Sequence, residues 1–339
     1  MQALHTLEPA TRFEIFSLVP KWFFADSLAC PFAYHRLAAD IGLVQTSPLV
    51  EDPEATLRRL TAFLPFRPAR VDALARTLEA LACRLVLCDI APLGIAVARR
   101  AAVPSLLVEN FTWDWIYEAY LDRLPGFAPV IGALAATFAS ATLTVQTEPV
   151  CRADARFPLV PPVSRTARTP ARAVRESLEI AEGVPAVLLT MGGVDWAPSS
   201  LRRLEDARGV VFVVPGAAAR RERRGALVAL PRRSGLFHPD LVHASDAVVG
   251  KLGYSTVAEV YAAGVPFAYL RRPTFRESAT LAGFAEHRLP SLALTADELD
   301  SGDWLGRLPE LLAKPRPSGT RSNGATAAAR LALGLLDPA

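Results

Sequence analysis

His243-Ala-Ser-Asp-Ala-Val-Val-Gly-Lys-Leu-Gly-Tyr-Ser-Thr-Val-Ala-Glu-Val-Tyr-Ala-Ala-Gly-Val-Pro266 reads as a strand, a tight glycine turn, a helix and the start of a second strand. Ala247-Val-Val249 is the short apolar run of a strand buried on both faces, and the helix it leads to stops before Pro266. A helix N-terminus presents N–H groups without intrahelical acceptors and the positive end of a dipole, so a turn that exposes it is a seat for phosphate. Gly253 permits the sharp turn and a close approach by a ligand, Ser255 and Thr256 add hydroxyl donors, and Lys251 places a cation just before the turn. Glu259 follows one turn later, where a carboxylate accepts hydrogen bonds from a ribose diol. The plainer alternative is a helix capped by Ser255 beside a half-exposed lysine.

Working outward from that stretch, further strand-like runs recur with helical segments between them. They are Arg12 to Leu18, Arg84 to Ile90, Ser105 to Glu109 and Ala141 to Val145, then Pro185 to Met191, Val210 to Val214, Ala226 to Leu230 and Pro266 to Leu270. Most lack polar alternation, as strands covered on both faces do, so the pattern predicts an α/β fold of two doubly wound, Rossmann-like domains. A chain of 339 residues is too long for one compact core. Prolines and missing periodicity in Phe157-Pro-Leu-Val-Pro-Pro-Val-Ser-Arg-Thr-Ala-Arg-Thr-Pro170 mark a connection, giving domains 1–156 and 176–339 with a linker over 157–175. Val187-Leu-Leu-Thr-Met-Gly-Gly193 is a strand running into a loop whose Gly192 and Gly193 let a ligand approach. Met1 to Leu7 reads as the last turns of a helix with no strand before it, so the first strand of domain 1 is expected to be missing.

Composition narrows the classes. About half the residues are apolar and a fifth charged, which fits a folded globular protein. The net charge is only +3, and arginine groups such as Arg220, Arg221, Arg223 and Arg224 lack interleaved aromatics, so they read as solvated surface. No nucleic-acid partner is expected, and membrane contact is at most peripheral. Cys30, Cys83, Cys88 and Cys151 show no metal-ligand spacing and read as buried thiols of a reducing compartment. The first residues lack the basic and apolar regions of a signal peptide, so a cytoplasmic location is expected. Leu124 to Thr147 carries no charge, yet Pro125, Gly126 and Pro129 break its start and Ala141 to Val145 alternates like a strand. A buried helix followed by a strand is the reading there, in place of a membrane span.

Two α/β halves, a Gly-Gly loop and a phosphate turn together resemble the nucleotide-sugar glycosyltransferases of GT-B type. Their donor box has the form His-x-Gly-x-Asn-Ser-x-x-Glu, and Lys251-Leu-Gly-Tyr-Ser-Thr-Val-Ala-Glu259 keeps the glycine, the hydroxyl and the glutamate in register. Gly253, Thr256, Val257 and Glu259 also match the Gly-x-x-Thr-Val-x-Glu of the peptidoglycan N-acetylglucosaminyltransferase. The chain is more specifically similar to the non-kinase, amino-terminal region of plant-type L-arabinokinases and its stand-alone bacterial relatives. The residues that carry this are Asn110-Phe-Thr-Trp-Asp-Trp-Ile-Tyr117, His238-Pro-Asp-Leu241, Ala244-Ser-Asp246, Gly250-Lys-Leu-Gly-Tyr254 and Leu270-Arg-Arg272 with Glu277.

The resemblance implies two Rossmann-like domains facing a cleft and a nucleotide-sugar donor, with uridine the favoured base. It places the diphosphate on Ser255 and Thr256 beside Lys251, Gly253 and Tyr254, the ribose on Glu259 with His238 near it, and the donor sugar near Glu277, the acidic residue after Gly264-Val-Pro266. No metal and no further cofactor is implied. Lys251 replaces the box histidine, which keeps a cation near phosphate and makes it a full charge at neutral pH. Relatives begin with a strand and a Gly-His-Gly-x-Gly-His-like loop that carries the usual base histidine, and this sequence starts after it. The natural reading frame is therefore expected to start upstream with Met1 internal, an expectation that a stop codon immediately before Met1 would refute.

For the acceptor, Asp89, Glu109 and Asn110 lie at predicted strand ends, which face the ligand in such folds. Asp114 is the candidate catalytic base, flanked by Trp113 and Trp115 for stacking on a sugar ring; the alternative is a packed helix start capped by Thr112 or Asp114. His5, His35 and His287 show no partner pattern. The leading reading is a metal-independent glycosyltransferase acting from a nucleoside-diphosphate sugar on an unknown acceptor. Its rivals are a non-catalytic nucleotide-sugar-binding or regulatory module and a nucleotide-sugar 2-epimerase.

Overall fold

The structure, a computed structural model, describes residues 1–47, 49–191, 200–319 and 321–336. The chain divides into two compact units, one of Met1–Thr46, Glu51–Val163 and Asn323–Ala339, the other of Ser47–Val50 and Ser164–Ser322. The expected boundary near 157–175 is close to the change at Val163, whereas residues 323 onwards, expected in the second domain, cluster with the first unit.

In the first unit, β1 (Phe13–Ser17) pairs in parallel with β2 (Phe32–Arg36) as a separate small sheet. A short ladder joins β3 (Gln45–Ser47) to β4 (Val50–Glu51), of which Ser47 and Val50 count with the second unit. Four parallel strands follow, β5 (Val86–Asp89), β6 (Ser105–Glu109), β7 (Leu143–Thr147) and β8 (Leu159–Val160), paired in that order. The uncharged segment is the helix Phe127–Phe138 followed by β7, as its prolines and alternation predict. Among the described residues no helix is long and apolar enough to cross a membrane. The helix Ala325–Gly334 packs Ala328, Ala329 and Ala332 with Leu4, Leu106, Val145 and Val160, which is what ties the late segment to this unit. Arg84 adds a hydrogen bond of 2.9 Å to the Leu336 carbonyl.

The second unit holds β9 (Ala186–Thr190), β10 (Val211–Pro215), β11 (Glu222–Arg224), β12 (Leu227–Leu230), β13 (Ala247–Lys251), β14 (Phe267–Leu270) and β15 (Ser291–Leu294). Their spatial order is β11-β12-β10-β9-β13-β14-β15, all parallel except β11. Leaving out β11, this is the 3-2-1-4-5-6 order of dinucleotide-binding folds. Alternate residues serve opposite faces. Leu188, Val213, Val228, Val248 and Phe267 pack under the helices with Leu241, Val257 and Leu281, while Val187, Phe212, Leu227, Val249 and Leu270 pack on the other side with Leu299 and Trp304. Each such side chain contributes roughly 1.5–3 kcal/mol of burial, so both faces demand apolar residues and the strands read as continuous apolar runs.

Of the four thiols, Cys30 and Cys88 are buried, whereas Cys83 and Cys151, expected to be buried, are only half-covered.

Candidate functional site

Strand order in the second unit reverses between β9 and β13, and open α/β sheets bind ligands at such a point, outside the carboxyl ends of the strands. The two strands end there in Thr190 and Lys251. Gly250 lets them run this close, because a Cβ on it would lie 2.3 Å from the Thr190 carbonyl oxygen. Past Lys251 the chain turns through Leu252, and Gly253 is the N-cap of the helix Tyr254–Ala263, with no side-chain cap. Ser255 is thus not the cap. Ser255 and Thr256 are the second and third residues of the helix, the first exposed and the second buried. Among the described residues, a Cβ on Gly253 would meet nothing within 4 Å. Gly264, in the left-handed region at φ 62°, ends the helix.

Further along this helix the Glu259 side chain is only 3% exposed and fully engaged. His238, first residue of the helix His238–Ala244, brings Nδ1 to 2.7 Å from Glu259 Oε2 and Nε2 to 3.1 Å from Thr190 Oγ1. Nδ1–H donates to the carboxylate in either protonation state; Nε2 accepts the Thr190 hydroxyl when the ring is neutral and donates to it when the ring is charged. Arg165 donates from Nε to Glu259 Oε1 at 2.8 Å, and a terminal guanidinium nitrogen lies 2.7 Å from the same oxygen. Burial alone would push the Glu259 carboxyl up; the hydrogen bond and charge of His238, with those of Arg165, outweigh it and hold the group below its ordinary value. Arg165 and Arg168 lie over the Phe237 ring at 5.2 and 3.9 Å, and Asp240 Oδ1 accepts the backbone N–H of Arg168 and of Thr169 at 2.6 and 3.2 Å.

Tyr254 is half-buried at the start of its helix. Glu277 opens the helix Glu277–Arg288 and is 3% exposed, beside Ser278, whose Oγ accepts the Arg272 N–H at 2.9 Å. Gly192 and Gly193 lie outside the described residues.

In the first unit Asp89 and Glu109 are the last residues of β5 and β6, with Asn110 next. Asp89 keeps surface open to solvent while protein packs round it closely enough to push its carboxyl up. Glu109 is buried and pushed up to about 7, by burial first, against a 2.6 Å hydrogen bond from Gln146 Nε2 and with the Asp114 charge adding to the rise. Asp114 is buried in the helix Trp113–Glu118, and its Oδ1 has no hydrogen-bond partner among the described residues. Thr112 is the N-cap of that helix without a side-chain cap bond. Trp113 stacks on Tyr117 with centroids 5.8 Å apart and meets Phe111 edge-on, which favours the packing alternative for this ring.

Sequence reasoning missed Arg165 and Thr190 in the second unit and Asp40 and Gln146 in the first. Asp40 follows β2 and is pushed up to about 6, by burial first and the Asp89 charge second. His35 also has a partner after all, with Nε2 2.7 Å from Glu14 Oε2 and its ring stacked on Phe16. Arg165 sits in the proline-rich connection, where nothing local signals a ligand role. Among the described residues no group of three or more His, Cys, Asp or Glu is placed to hold a metal ion.

No family model matches the chain. It is 28% identical over 319 residues to an L-arabinokinase of Arabidopsis thaliana, an alignment covering 91% of this chain and 30% of that protein's length. Among solved structures, a UDP-glucosyltransferase from Polygonum tinctorium superposes with a TM-score of 0.59 at 12% identity, covering 99% of this chain and 94% of the other. The spinosyn forosaminyltransferase matches with 0.56 at 15% identity, over 98% and 88%, and the calicheamicin glycosyltransferase with 0.54 at 15%, over 96% and 93%. The fold is therefore shared with glycosyltransferases of GT-B type, two Rossmann-like units in one chain.

Proposed function

We propose that the chain is a glycosyltransferase that binds a nucleoside-diphosphate sugar on its second unit and an acceptor on its first. The observation that carries this reading is the Lys251-to-Glu259 turn at the strand-order reversal of a 3-2-1-4-5-6 sheet. Sugar transfer needs the departing diphosphate stabilised. Lys251, the helix N-terminus after Gly253 and the hydroxyls of Ser255 and Thr256 supply that charge from the protein itself. Glu259, oriented by His238, is the partner for the ribose diol; Gly192 and Gly193 belong to the proposed donor set, Tyr254 flanks the turn and Glu277 serves the sugar. Resemblance favours uridine as the base.

On the acceptor side, Asp114 is the proposed base, because its Oδ1 has no hydrogen-bond partner among the described residues and burial raises the carboxyl of Glu109 beside it to about 7. Asp89, Asn110 and Trp113 complete the proposed acceptor set. A cytosolic location belongs to the same proposal. The chain spans about 30% of the length of the plant relative it matches. A second reading, a nucleotide-sugar-binding module without catalysis, is favoured by the burial and full engagement of Glu259.

Titration calorimetry with uridine, adenosine, guanosine and thymidine diphosphates tests the donor site. One nucleotide should bind saturably, and Glu259→Ala should weaken it about tenfold or more, the loss of a charge-assisted hydrogen-bond pair. Binding of none overturns the reading. Turnover of a bound nucleotide sugar without an acceptor would point to the 2-epimerase instead.

A further inference from the structure

The connector segment and the proposed ribose seat share one carboxylate. While Arg165 is in place, Glu259 is 3% exposed with both oxygens taken, Oε1 by the Arg165 fork and Oε2 by His238, so no hydroxyl arriving from solvent reaches it. The Arg165 side chain is itself 27% exposed. We infer that Arg165 is a latch that sets specificity at this site: a ribose diol replaces the guanidinium on Glu259, and the exchange releases the Arg165 side chain. This inference rests on the proposed nucleotide site.

The exchange is balanced in hydrogen bonds. Two N–H donors leave the carboxylate, two O–H donors take their place, and the guanidinium passes to water, where it is well solvated. A ligand without a vicinal diol brings only one hydroxyl, so it leaves a buried carboxylate under-satisfied, the costly side of the hydrogen-bond asymmetry. The latch thereby discriminates ribonucleotides from 2′-deoxyribonucleotides. Asp240 holds the backbone of Arg168 and Thr169, and Phe237 lies under both guanidinium groups, so the segment keeps Arg165 at high effective concentration beside Glu259. That closed population lowers the apparent affinity of every ligand that must displace it.

The test uses the whole chain, with dissociation constants for uridine diphosphate and 2′-deoxyuridine diphosphate measured calorimetrically for wild type, Arg165→Ala and Asp240→Asn. Tryptic cleavage after Arg165 is followed in the wild type with and without ligand. Wild type should prefer the ribonucleotide and become more readily cleaved when saturated with it. Arg165→Ala should tighten both ligands about tenfold and narrow the preference between them, and Asp240→Asn, which loosens the strap without touching Glu259, should shift affinity the same way by less. If wild type binds and Arg165→Ala binds equally or more weakly, or if ligand leaves cleavage unchanged, the latch is overturned. Should Arg165→Ala fail to fold, the Asp240→Asn affinity and the wild-type cleavage decide. Failure of wild type and all variants to bind any nucleotide overturns the donor-site reading itself, and the latch with it.

Discussion

Burial lifts the Glu109 carboxyl to about 7 and the Asp40 carboxyl to about 6, where an unfolded chain would titrate near pH ~4. A carboxyl raised in this way binds its proton more tightly folded than unfolded. Its stabilisation is complete below the unfolded value and is lost as pH rises through the folded one, here between roughly pH 4 and 7. We therefore expect Glu109→Gln to gain stability relative to wild type at pH 8 and not at pH 4, a difference of at most ~3 kcal/mol. Urea denaturation at both values measures it, and an equal change at both would contradict the assignment. Glu259 runs the other way: its lowered carboxyl contributes stability above its unfolded value that is lost on acidification. Of the site residues, Lys251, Gly253 and Glu259 were legible because they fall within one short turn and the helix after it. Arg165 and Thr190 were not, because they reach Glu259 and His238 across 94 and 48 residues, a separation that only the folded sheet closes.

At the scale of elements, the close pairing of β9 and β13 depends on one missing side chain. A Cβ at Gly250 would meet the Thr190 carbonyl oxygen at 2.3 Å, which a backbone group cannot relieve without shifting a central strand. Gly250→Ala is expected to cost roughly 2–4 kcal/mol and to weaken nucleotide binding together with stability. Thermal unfolding and calorimetry on the same variant check this, and an unchanged melting temperature would show that the strands part freely. The central strands were readable as apolar runs because both their faces are covered. β2 and β15 were not: Phe32-Ala-Tyr-His-Arg36 belongs to a two-stranded sheet with a largely uncovered surface, and β15 is an edge strand with one exposed residue in its middle. Neither has the composition that burial on two sides imposes.

At the scale of the molecule, the first unit is assembled from segments on both sides of the second. Its core takes Leu4 from the first helix and Ala328, Ala329 and Ala332 from the last, a contact between residues far apart in the chain that no local pattern reveals. Deleting residues 323–336 should lower the melting transition of the first unit and leave that of the second in place, which scanning calorimetry would resolve as two transitions moving separately. A single transition that falls as a whole would show the units to be cooperative. Residues 164–322, produced alone, should retain the nucleotide affinity of the whole chain, since Lys251, His238 and Glu259 all lie within them. The discontinuous first unit also sets an order of events during translation. As the nascent chain leaves the ribosome, the second unit has its complete set of strands before the helix Ala325–Gly334 has been made. The apolar patch around Leu106, Val145 and Val160 must therefore wait uncovered until that helix arrives, and this is the interval in which a chaperone would find the protein.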